Sequence, residues 1–133
     1  AVFAEMYPRL KQHIGEWGML ESARDYKALL QGAHVVLSTA LHEFQGLAVL
    51  EAVACGCIPL VPDRLCYPEL FPASCRFSSS PEDAASESRA IASHLESLVR
   101  QYAQDELPVA PDVGALSWQH LGADYRGVIH GLA

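Results

Sequence analysis

The sequence predicts an α/β fold, a parallel β-sheet with helices on both faces. Three observations predict it. His34–Ser38 is a near-continuous apolar run with β-branched valines, the pattern of a central parallel strand covered on both sides. Residues 47–54 (LAVLEAVA) follow a glycine and are apolar around most of a helical circumference. Ile58–Val61 is a second apolar run of strand length.

The remaining elements fit around this unit. Phe3, Met6, Leu10 and Ile14 recur at helical spacing, so residues 2–13 predict a short helix with Pro8 in its first turn or at a kink. Gly15–Met19 reads as a short strand or its exit. Ser22, with Asp25 three residues on, caps a helix that carries Tyr26, Leu29 and Leu30 and ends at Gly32. Pro59 and Pro62 argue that the Ile58–Val61 ladder is brief. Arg76–Ser78 is a further short strand. Pro81-Glu82-Asp83 opens a helix to about Gln104, with acids at its positive end. Residues 106–115 are a Pro-rich connector. A last helix, about 116–131, carries Trp118, Leu121, Tyr125, Val128 and Ile129 on one side. Trp17 and Trp118 are expected to anchor the core.

At 133 residues the chain is the size of one domain, able to bury about two thirds of its unfolded surface. Half the residues are apolar and 19% are charged, which excludes a disordered chain. A formal charge of −7 excludes a surface that wraps nucleic acid unaided. Four cysteines, Cys55, Cys57, Cys66 and Cys75, lack the C-x-x-C spacing of a redox or zinc site and read as free thiols in a reducing cytoplasm. No apolar run approaches the ~20 residues that span a bilayer, so no membrane partner is expected.

In open parallel sheets, ligands bind beyond the carboxyl ends of the strands. Thr39–Gln45 is such an end. Gly46 lets the backbone approach a ligand closely, and the helix behind it offers free N–H groups to phosphate. Glu43 lies in the turn and Glu51 one to two turns into the helix. Carboxylates accept paired hydrogen bonds from vicinal hydroxyls, as ribose and hexose rings present them. An anion site flanked by two such carboxylates fits a nucleoside diphosphate sugar. The plainer reading, a solvated turn acid and a helix-surface charge, stands beside it. No GxxxxGK[ST] or GxGxxG loop is present.

The stretch His42-Glu43-Phe44-Gln45-Gly46-Leu47-Ala48-Val49-Leu50-Glu51-Ala52 resembles the E-x7-E motif of family 4 retaining glycosyltransferases, in the donor-binding half of the GT-B fold. STALHEF, AVLEAV, CGC and YPELFP together resemble the tRNA-queuosine α-mannosyltransferase family. EWGMLESARDY and LSWQHLGADYRGVI extend the likeness over nearly the whole chain. The resemblance implies a Rossmann-like domain, the partial C-terminal half of a GT-B enzyme, that binds a nucleotide sugar such as GDP-mannose. It implies hexose transfer to an acceptor such as queuosine in tRNA. Glu43 would contact the hexose and act at the catalytic centre. Gln45, Gly46 and Leu47 would meet the diphosphate and hexose through their backbone, and Glu51 would hold the ribose. Glu69 matches a loop glutamate near the same cleft. No metal or other cofactor is expected, in keeping with the absence of a DxD motif. Gln45 departs from the family, which places an aromatic there.

Against that family the chain lacks the N-terminal acceptor-binding domain and the first two strands of the donor domain. The fragment alone would therefore be inactive, would meet tRNA only within the full-length protein, and would expose an apolar edge open to self-association. Other readings of the same residues are a family 4 transferase with a different donor or acceptor, and a sugar-nucleotide-binding module without catalysis. His42, Thr39, Arg64 and Tyr67 are further candidates. Arg64 would contact phosphate or acceptor. Tyr67 and Phe71 would pack on a base or, equally, on the chain's own core.

Overall fold

A computed structural model describes residues 2–131. The elements in order are α1 (Val2–Leu10), α2 (Ala23–Gly32), β1 (Val35–Leu37), α3 (Leu47–Ala54), β2 (Ile58–Pro62), α4 (Tyr67–Leu70), β3 (Arg76–Phe77), α5 (Ala84–Ala103) and α6 (Trp118–Gly131). Short 3-10 turns lie at Lys11–His13, Ala73–Cys75 and Gly114–Leu116. The three strands form a parallel sheet in the order β1-β2-β3.

Alternation along the strands sends side chains to opposite faces. Val36 and Val61 pack with Val49 and Val53 of α3 on one side, over Tyr67 and Phe71. On the other, Val35 shares a shallow hollow with Leu95, Leu98 and Tyr102 of α5, and the His34 and Tyr102 rings meet edge-on at 4.7 Å. β2 is buried along its whole length and is the centre of the sheet. The expectation that His34–Ser38 is the central strand is therefore corrected, while its two faces are partly covered through Val35 and Val36. β1 is an edge strand of this sheet, paired on one side, and Leu37 is 44% exposed.

The prolines of β2 do not shorten it. In a parallel ladder, alternate residues hydrogen-bond to alternate neighbours. The Ile58 N–H donates to His34 O (2.8 Å) and the Ser38 N–H to Leu60 O (3.1 Å), so the even positions serve β1. The Asp63 N–H donates to Phe77 O (2.9 Å), so the odd positions serve β3. Pro59 faces the β3 side before β3 begins opposite Val61, and Pro62 faces the β1 side past Leu37. Neither ring sits where a ladder donor is required.

Ser22 caps α2 as expected, its hydroxyl accepting from the Asp25 N–H at 3.3 Å. Cys57 holds the end of that helix through its thiol, which donates to Leu30 O at 3.2 Å. Asp83 caps α5 by accepting from the Ser86 N–H at 2.9 Å. Three expectations fail. Gly15–Met19 is irregular and joins no strand. Pro8 lies in the last turn of α1, which tightens into the 3-10 turn Lys11–His13 just beyond it. Neither tryptophan reaches the core. Trp17 is 54% exposed and packs edge-on against Tyr7, while Trp118 is 68% exposed beside Tyr125. The apolar side of α6 is open as well, with Tyr125, Val128 and Ile129 all exposed. No helix among the described residues is long and apolar enough to cross a membrane.

Candidate functional site

The site is built on the segment that leaves the carboxyl end of β1 and enters α3. Ser38 fixes its start: the hydroxyl pairs with the Tyr67 hydroxyl at 2.9 Å and accepts from the Ala40 N–H at 3.3 Å. Tyr67 is fully buried and Phe71 nearly so, their rings stacked at 6.3 Å in the core. Of the two roles open to this pair, the structure fills the core role, and neither ring is free to lie on a base. Burial holds the Tyr67 hydroxyl protonated well into the alkaline range.

Thr39 and Ala40 are gripped by Arg64, whose side chain is 12% exposed. Its Nε and Nη2 donate to Ala40 O at 3.1 and 3.0 Å, and Nη2 also reaches Thr39 O at 3.4 Å. Its Nη1 donates to Ser79 Oγ at 2.8 Å and pairs with the Glu87 carboxylate. Arg64 is thus spent on protein groups here, and the expected phosphate contact is not available to it in this arrangement.

Glu43 turns back on its own chain. Its Oε1 accepts from the N–H groups of Phe44 (2.9 Å), Gln45 (3.2 Å) and Gly46 (3.0 Å). These bonds, the one from Gly46 first, hold the Glu43 carboxyl below the usual carboxylate range. The Gln45 and Gly46 amides expected to meet a diphosphate are therefore occupied by a side-chain anion of the same turn. The first-turn N–H groups of α3, at Leu47, Ala48 and Val49, precede the first helical hydrogen bond, from Leu50 N–H to Gly46 O (2.8 Å).

Gly46 makes the turn possible. It is buried in a left-handed conformation, φ 67° and ψ 26°, and caps α3. A Cβ there would sit 3.2 Å from Leu70 Cδ1, 3.3 Å from Tyr67 Cε1 and 3.5 Å from Cys66 Sγ. The glycine thus lets α3 start directly against α4. Cys66 stands between acids: burial pushes its thiol up, and the charges of Glu43 and Glu69 push it the same way.

Glu51 is exposed on α3, one turn beyond Leu47. Both line a cleft of about 510 Å³ whose opposite wall is Pro111, Asp112, Val113, Leu116 and Ser117. Glu43 is not among its walls, so the two glutamates border one helix without sharing one enclosed pocket. His42, Gln45 and Glu69 are exposed around the turn. The 106–115 segment, expected only as a connector, supplies Pro111, Asp112 and Val113 of that wall. The signal was Asp112 two residues before Gly114, a side-chain turn in which the Gly114 N–H donates to Asp112 Oδ1 at 2.8 Å.

These features define a class: a mixed α/β unit that presents a carboxylate-bearing strand-to-helix turn at the carboxyl end of a parallel sheet. In sequence the chain is 41% identical, over 78 residues, to the tRNA-queuosine alpha-mannosyltransferase of Drosophila melanogaster. That match takes in 59% of this chain, and the chain covers 20% of the length of that relative. The likeness relates the chain to a glycosyltransferase. No known family model matches the chain, and no solved structure matches it significantly.

Proposed function

We propose that this chain is the donor-binding part of a family 4 glycosyltransferase of GT-B fold, with a Rossmann-like sheet. The whole enzyme would transfer mannose from GDP-mannose to queuosine in tRNA. The observation that carries the reading is the 41% identity to a tRNA-queuosine alpha-mannosyltransferase. The Glu43–Gly46 turn at the head of α3 supports it, because it sets a fixed carboxylate beside free helix N–H groups. In this reading Glu43 keeps Oε1 on its own backbone and turns Oε2 to the hexose hydroxyls. The first-turn N–H groups of α3 meet the diphosphate, and Glu51 accepts from the ribose hydroxyls across the cleft.

In the reaction the bond from the anomeric carbon to the diphosphate oxygen breaks. A bond to an acceptor hydroxyl forms on the same face. The hydroxyl proton passes to the departing diphosphate. Negative charge grows on that leaving group, where the positive end of α3 favours it. No metal is assigned to this step. The acceptor, and the tRNA that carries it, are assigned to the rest of the enzyme, since a net charge of −7 works against phosphate-backbone binding by this chain.

Calorimetric titration of the full-length protein with GDP-mannose, UDP-glucose and ADP-glucose tests the reading. GDP-mannose is expected to bind, with Glu51→Ala weakening it by about 10- to 100-fold, as losing a carboxylate that accepts two hydrogen bonds implies. Binding of a different sugar nucleotide would keep the class and change the donor. Failure of all three to bind would overturn it.

A further inference from the structure

We propose that Arg64 is a positioning residue for the donor site, a clamp that presents the Glu43 turn and does not itself touch ligand. The proposal rests on the functional reading above only for its effect on donor binding. The clamp has two sides. Arg64 directly follows Asp63, whose N–H is bonded to Phe77 O at 2.9 Å, so its backbone is fixed to the central and outer strands. Its Nη1 is held by Ser79 Oγ (2.8 Å) and the Glu87 carboxylate, in the first turn of α5. Glu87 Oε1 also accepts from the Ser80 N–H at 3.2 Å, which ties the β3–α5 loop to the same point.

On its other side the guanidinium takes the carbonyls of Thr39 and Ala40, immediately before the Glu43 turn. Apart from Ser38 at the start of the segment and the self-contained bonds of Glu43, this is its main polar hold. A planar fork with donors on both edges can bridge two loops in this way, whereas a lysine ammonium is a point charge without that fixed geometry. The Glu87 carboxylate balances a cation that is largely shielded from water and holds the guanidinium in place. The sequence offers Arg64 as a ligand contact, but its neighbours make it a brace.

Two variants and two readouts test this. In Arg64→Met and in Glu87→Gln, the amide resonances of Phe44, Gln45 and Gly46 should shift and broaden while those of β2 hold. The Glu43 carboxylate, followed by carbon NMR, should titrate closer to its ordinary value. In the full-length protein, affinity for GDP-mannose should fall about tenfold as pre-organisation is lost, with Arg64→Lys recovering part of it. Unmoved Phe44–Gly46 amides and an unmoved Glu43 titration in both variants would overturn the clamp. So would undiminished donor affinity. If the wild-type protein bound no sugar nucleotide, the functional reading would fall and the NMR readout alone would decide the clamp. Should Arg64→Met not fold, Glu87→Gln carries the test.

Discussion

Gly46→Ala is the substitution for which the structure gives the clearest magnitude. A left-handed conformation costs a residue with a Cβ about 1–2 kcal/mol. The new methyl group would press on Leu70 Cδ1 at 3.2 Å and Tyr67 Cε1 at 3.3 Å. Leu70 can swing aside, but Tyr67 is fully buried and tied to Ser38 through its hydroxyl. Overpacking of this kind costs about 1–3 kcal/mol. Against these, alanine lowers the entropy of the unfolded chain by about 0.4–1 kcal/mol. The net expectation is a loss of about 2–3 kcal/mol. For a domain of this size that lowers Tm by roughly 6–15 °C. Urea denaturation followed by circular dichroism measures it. Adding Leu70→Ala to Gly46→Ala, with Leu70→Ala alone as the reference, relieves the Leu70 contact and leaves the Tyr67 contact and the backbone part. A Gly46→Ala protein within about 0.5 kcal/mol of the parent, the scatter of an ordinary surface substitution, would refute the account of this turn.

Two further outcomes are expected. The Glu43 carboxylate should titrate below its ordinary value of 4.5, with the Phe44–Gly46 amides moving at the same midpoint. Because its folded value is the depressed one, its contribution to stability is complete above the ordinary value and is lost as pH falls through the folded value; a midpoint at or above 4.5 would contradict the bonding described. Tyr67→Phe should cost about 1 kcal/mol by removing the hydroxyl bond to Ser38, read as a fall in Tm, and an unchanged Tm would show that this bond carries no net stability.

The strand-turn-helix-strand unit was legible in the sequence because each of its parts is marked locally. Apolar runs mark β1 and β2, glycines bracket α3, and Ser22 caps its helix in place. What was not legible depends on partners distant in the chain. An apolar run shows that a strand is apolar, not how many neighbours it has, so the exposure of Leu37 could not be read from His34–Ser38. Trp17 and Trp118 carry the composition of core residues, but Trp17 packs on the rings of α1 and Trp118 on Tyr125 of its own helix, and both stay exposed. In the site, the positions of Glu43, Gly46 and Glu51 followed from spacing. The direction of the Glu43 side chain did not, because three adjacent N–H groups compete with any ligand for the same carboxylate. Arg64 looked like a lone cation in a loop, since Ser79 and Glu87, its counterparts, lie far along the chain.

The two prolines of the central strand have a consequence for how the sheet finds its alignment. Shift β2 by one residue against β1 and Pro59 takes a position where β1 requires a donor. Shift it by two, so that Leu60 stands opposite Val35, and Pro62 enters the ladder instead. Either misalignment forfeits a hydrogen bond in the most buried strand of the molecule, and the single-residue shift also exchanges its two faces. Residues that ordinarily mark the end of a strand here act as a key that bars these slips, and so help place the turn that β1 delivers to α3.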